Sequence, residues 1–94
     1  IKKASKLVAE LLGKPESYVM VSVNPNQTLT FAGTSESAAH LKLKSLGLAE
    51  SETGQYAEQL CHFMEQKLGI NPARIYIEFD SPPRHMWGWD SKTF

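Results

Sequence analysis

Few residues in this chain have side chains suited to chemistry, and their spacing rules out several reactions. Cys61 is the only cysteine, so the sequence holds no internal disulfide and no Cys-x-x-Cys pair. It falls on an apolar stretch and is expected in the core. His40, His62 and His85 stand at no metal-ligand spacing with Cys61 or the carboxylates, and read as surface or half-buried side chains. No glycine-rich phosphate loop occurs. Lys14 is more informative, because it sits between Gly13 and Pro15 at the stop of an apolar-periodic segment. Two readings fit it: a solvated cation favoured by the negative end of a helix dipole, or an anchor for an anion. Tyr76 and Glu78 alternate along one segment and would share a strand face. Tyr76 is equally suited to a core or to a pocket. Trp87-Gly88-Trp89 suits a structural plug or a subunit contact.

The elements that would hold these residues follow from periodicity. Ile1, Ala4, Leu7, Val8, Leu11 and Leu12 make one apolar helix face, with Ile1 inside the helix, which stops at Gly13 before Pro15. Tyr18–Val23 reads as a largely buried strand, Asn24–Gln27 as a turn, and Leu29–Phe31 as a short returning strand. Ala39, Leu41 and Leu43 alternate with His40, Lys42 and Lys44, which predicts a strand to Leu46 with one polar face, ended by Gly47. Ser51 is the candidate cap of a second helix marked by Tyr56, Leu60, Phe63, Met64 and Leu68. That helix ends at Gly69. Ile75–Phe79 is a strand, and Trp87–Trp89 a short final one.

"LLGKPESYVMV" and "KLGINPARIYI" are two versions of one unit: Leu-Gly ends a helix, a proline follows, then a strand. The second unit is preceded by its own strand, giving strand–helix–strand. If the two are related, the first lacks its leading strand, and about 15 to 20 residues are expected ahead of Ile1.

Ninety-four residues suit one domain, read as spanning 1–94 and incomplete at its N-terminus. A core of this size gains from oligomerisation. Ten basic and ten acidic residues cancel, which gives no electrostatic footprint for nucleic acid. No apolar run approaches the roughly 18 residues that cross a bilayer, so no membrane insertion is expected. No signal peptide is visible. Asn26-Gln27-Thr28 forms a glycosylation sequon, a three-residue pattern common by chance.

"GKPESYVMV", "FAGTSES", "KSLG", "INPARIYIEF" and "WGWDSKTF", in this order, resemble the macrophage migration inhibitory factor family, which includes D-dopachrome tautomerase. The match runs from about Leu7 to Phe94. It implies an α+β fold of two βαβ units, a four-stranded mixed sheet with two helices on one face. It also implies a homotrimer whose sheets surround a channel. The implied activity is keto–enol tautomerisation of phenylpyruvate, hydroxyphenylpyruvate and dopachrome-like compounds, with no cofactor. A cytokine-like role through a cell-surface receptor is the alternative, and the location would be cytoplasmic or secreted without a signal peptide.

The resemblance also assigns residues. The family's base is the amine of an N-terminal proline at the start of the leading strand, so the chain from Ile1 is expected to be inactive alone. Lys14 matches the lysine that pairs with the substrate carboxylate. Leu46 matches a position whose backbone N–H bonds the substrate. Tyr76, Trp89 and Phe94 match the aromatic wall, with Tyr76 supplied by a neighbouring subunit. Glu78 stands where the best-known members carry Asn. A carboxylate there would repel a carboxylate substrate unless Lys14 or Arg74 pairs with it. Ala38 to Leu41 match the family's Cys-x-x-Cys segment, so a thiol-redox activity does not carry over.

Overall fold

A computed structural model describes residues 1–94 and divides the chain into two compact units, Ile1–Glu36 and Ser37–Phe94.

The first unit is built on helix α1, Lys2–Leu12. Its apolar face comes from Ala4, Leu7, Val8 and Leu11, all half-buried, with Ala9 fully buried. Ile1 stands at the N-cap rather than within the helix, and no side chain caps this end. The other end is closed tightly. Gly13 is left-handed at φ 63°, which glycine adopts without a Cβ clash. The Gly13 N–H donates to the Glu10 carbonyl at 3.3 Å, and the Lys14 N–H to the Ala9 carbonyl at 3.0 Å. This crossed pair of bonds is a Schellman closure.

Pro15 then starts a 3-10 turn, Glu16–Tyr18. The expected strand Tyr18–Val23 does not form. Val19 has extended dihedrals, but no segment pairs with it, and a strand exists only through a neighbour that takes its backbone bonds. The side chains are correspondingly open rather than buried, with Met20 94% exposed. Leu29–Phe31 likewise forms no strand, only an isolated bridge between Phe31 and Thr34. Asn26 has φ 59° in a bend, consistent with the expected turn.

In the second unit, strand β1 covers Ala39–Lys44 and helix α2 covers Thr53–Leu68. Strand β2, Ile75–Asp80, lies parallel to β1 in the register Ala39↔Ile75 to Lys44↔Asp80. A parallel pair needs a crossover, and α2 supplies it. Both strands alternate. Leu43 and Ile75 are buried and Leu41, Ile77 and Phe79 half-buried on one face, while His40, Lys42, Lys44, Tyr76, Glu78 and Asp80 are exposed on the other. The Tyr56 ring of α2 meets Phe79 at 6.4 Å between centroids, so α2 covers the apolar face. Ile70 completes this small core.

β1 stops at Lys44, two residues short of the expected Leu46, although the Ser45 N–H still donates to the Asp80 carbonyl at 3.0 Å. Ser51 does not cap α2. A 3-10 turn, Glu50–Glu52, leads into the helix, and the Thr53 hydroxyl donates back to the Glu50 carbonyl at 2.9 Å. At the far end, Gly69 is left-handed, and its N–H donates to the Glu65 carbonyl at 2.9 Å. Asn71 then accepts from the Ala73 N–H and sets the 3-10 turn Pro72–Arg74.

The final strand is half of a hairpin, in which β3, Gly88–Trp89, pairs with β4, Lys92–Thr93. Asp90 and Ser91 both have positive φ, the two-residue turn whose twist suits a hairpin. The class is α+β, as expected. Of the four-stranded sheet, expected with its first strand missing from this chain, β1 and β2 form the parallel pair, the segment after Pro15 joins no ladder, and the C-terminal hairpin forms a second two-stranded sheet.

Candidate functional site

The strongest grouping of expected site residues lies on the exposed face of the β1–β2 sheet. Period-two alternation puts Tyr76 and Glu78 side by side on β2, and the parallel register sets His40 opposite Tyr76 and Lys42 opposite Glu78. Tyr76 is 68% exposed, so it is not part of the core of this unit. The Glu78 carboxylate is held across the strands. Its Oε2 lies 2.5 Å from His40 Nε2 and 4.0 Å from Lys42 Nζ.

Glu78 makes its ion pairs with His40 and Lys42, not with the expected Lys14 or Arg74. Lys14 belongs to the other unit. The Arg74 Nε–H donates to the Ser37 carbonyl at 3.1 Å, which ties together the segments leading into β1 and β2. A depression of about 250 Å³ beside Glu78 is lined by Lys42, Lys44, Glu78, Phe79 and Asp80.

Leu46 follows β1 by two residues, in the segment that leads to Gly47 at φ 66°. Close by, the Leu48 N–H donates to Ser81 Oγ at 3.2 Å. Trp89 is on β3, and Phe94 follows β4. The Phe94 N–H donates to the Trp87 carbonyl at 3.1 Å, which fixes the end of the hairpin. Trp89 and Phe94 are both exposed. Lys14 is half-buried in the first unit, its backbone pinned by the Schellman bond to Ala9.

His40 and Lys42 escaped the sequence reading as partners of Glu78. The signal was present, since both fall on the polar side of the β1 alternation, but only the register aligns them with Glu78. Cys61 is half-buried on α2, and burial pushes its thiol pKa up, toward an unreactive thiol. No group of three or more His, Cys, Asp or Glu side chains is placed to hold a metal. No helix is long and apolar enough to cross a membrane.

Comparison with known proteins agrees with this architecture. The family model for macrophage migration inhibitory factor matches residues 1–94. The Rattus norvegicus macrophage migration inhibitory factor is 33% identical over 95 residues, covering 100% of this chain and 83% of that protein. A homologue from Trichuris trichiura is 39% identical over the same shares. Among solved structures, the homologue from Prochlorococcus marinus superposes with a TM-score of 0.91 at 43% identity, over 99% of this chain and 82% of the other. The macrophage migration inhibitory factor of Trichinella spiralis gives 0.90 at 34%, over 99% and 83%. Two helices, a parallel β1–β2 pair, a C-terminal hairpin and a family match along the whole chain lead to one conclusion: the chain belongs to the macrophage migration inhibitory factor family.

Proposed function

We propose that the protein acts as a keto–enol tautomerase on small aromatic keto acids of the phenylpyruvate type, as a homotrimer. The observation that carries this reading is the exposed Tyr76–Glu78 face, in a chain that matches the family model from end to end.

Tautomerisation moves a proton alpha to a carbonyl and needs a base together with groups that hold the developing enolate. In this reading the base is the amine of an N-terminal proline, as the family resemblance implies. Its low basicity comes from an apolar pocket next to cations, where a charged amine is disfavoured. Lys14 pairs with the substrate carboxylate, and the Leu46 N–H donates to the substrate. Tyr76, Trp89 and Phe94 enclose the aryl ring. His40 Nε2 at 2.5 Å and Lys42 Nζ at 4.0 Å stand beside the Glu78 carboxylate and would offset only part of its repulsion of an anionic substrate.

The test follows phenylpyruvate enol–keto conversion by ultraviolet absorbance, with protein confirmed by mass to start at the proline. A rate above buffer supports the reading, and no rate ends it.

A second reading is a cytokine-like ligand, cytoplasmic or secreted, that binds a cell-surface receptor without catalysis. Glu78 favours it, because a carboxylate on the proposed aryl face disfavours keto acids. Saturable receptor binding that survives alkylation of the N-terminal amine supports it. Loss of binding with the trimer intact argues against it.

A further inference from the structure

We infer that Ser81 is a positioning residue for the proposed site: its hydroxyl holds the turn after β1, so that the Leu46 peptide meets the substrate at a fixed place. The inference rests on the proposed tautomerase site and adds to it the side chain that sets one of its backbone contacts.

A backbone donor is only as good as the backbone that aims it. Leu46 and Gly47 lie past the end of β1, outside its ladder with β2. Gly47 is left-handed at φ 66°, a conformation that glycine enters, and leaves, without a Cβ clash. Such a turn ordinarily presents its N–H groups over a spread of directions. Here the end of β2 grips it on both sides. Before the turn, the Ser45 N–H donates to the Asp80 carbonyl at 3.0 Å. After it, the Leu48 N–H donates to Ser81 Oγ at 3.2 Å. The two acceptors belong to adjacent residues, so they cannot drift apart. Between them, the Ser45 hydroxyl donates to the Leu46 carbonyl at 3.2 Å. Ser45 is only 6% exposed, so water competes weakly for that bond.

Of these contacts, the one at Ser81 brings a side chain from a distant segment, since Leu48 and Ser81 are 33 positions apart in sequence. The Ser81 backbone is itself constrained. Asp80 before it is the last residue of β2, and Pro82 after it keeps Ser81 out of the helical region. Pro83 continues in the extended form at φ −59° and ψ 147°. The hydroxyl therefore starts from a fixed point with one side-chain torsion to set. Alanine at this position would keep the ladder bond to Asp80 and release the far side of the turn. Threonine would keep the hydroxyl. Ser81 is exposed and the bond is neutral, so its loss is read as a few-fold effect rather than as orders of magnitude.

The experiment uses the assembled protein with its N-terminal proline. It follows phenylpyruvate conversion, alongside amide hydrogen exchange resolved residue by residue. In wild type the Leu48 amide is expected to exchange slowly, as the Ser45 amide does. Ser81→Ala is expected to lose protection at Leu48 and to raise KM about three- to tenfold with kcat within about twofold. Ser81→Thr is expected to restore both. Circular dichroism and sedimentation confirm that the variants are folded and assembled. A purely structural role would lower the melting temperature and leave the KM of the folded protein unchanged.

A folded Ser81→Ala protein with wild-type KM therefore overturns the inference and leaves the site reading standing. So does a rise in KM that Ser81→Thr fails to repair. An unprotected Leu48 amide in wild type overturns it as well, whatever the variants do. No conversion by wild type ends the site reading, and this inference with it.

Discussion

Lys14 shows how the backbone can place a side chain for a proposed role. The left-handed Gly13 lets the chain reverse, and the bond from the Lys14 N–H to Ala9 fixes where the side chain starts. A cation held in this way loses less freedom on meeting a carboxylate. Lys14→Ala is therefore expected to raise KM for phenylpyruvate about tenfold with a smaller change in kcat, read from steady-state tautomerisation by the proline-bearing protein. Cys61 supports a second expectation. Its thiol pKa is raised by burial, so above about pH 9 the unfolded chain loses this proton while the folded chain keeps it. Fewer protons on the unfolded state mean that stability falls as pH rises. Urea melts between pH 8.5 and 10.5 should show a steeper loss in wild type than in Cys61→Ala. At this scale the sequence was legible in residue types and faces, Tyr76 beside Glu78 being the clearest case. The link from His40 to Glu78 was not, because a cross-strand partner depends on register, which composition and spacing leave open.

At the scale of elements, local signals served best where the backbone alone decides. Both Leu-Gly helix stops are left-handed caps, although Gly13 closes with crossed bonds and Gly69 with a single one. Gly13→Ala puts a Cβ at φ 63° and should cost about 1 kcal/mol in a urea melt. The reverse change should help in the hairpin. Ser91 sits at φ 68°, so Ser91→Gly is expected to stabilise by about 0.5–1 kcal/mol, seen as a higher melting temperature. Signals failed where an element depends on a partner. The apolar run Tyr18–Val23 has strand composition, yet composition supplies no neighbour to bond with. Ser51 has cap chemistry, but the 3-10 turn moves the helix start to Thr53, whose own hydroxyl bonds back to Glu50.

At the scale of the whole molecule, burial is sparse. Only Ala9, Leu43, Tyr56, Ile70 and Ile75 form the buried apolar core, and no large side chain is fully enclosed. Tyr18, Met20, Tyr76, Met86 and Trp89 are all more than half exposed. A domain this small with so much apolar surface uncovered is expected to bury it against further copies. Sedimentation should therefore give a trimer for the proline-bearing protein, and dilution to monomer should raise binding of a hydrophobic dye. The crossover has a consequence in time as well. Ala39 can meet Ile75 only after the chain has passed through all of α2, so no bond of the β1–β2 ladder is local. Loop closure must precede any gain from strand pairing, which slows such contacts relative to helix formation. Pulse-labelled hydrogen exchange during refolding should find α2 amides protected first and the Leu41–Leu43 amides late. The sheet that carries the proposed site would then be the last part of its unit to mature.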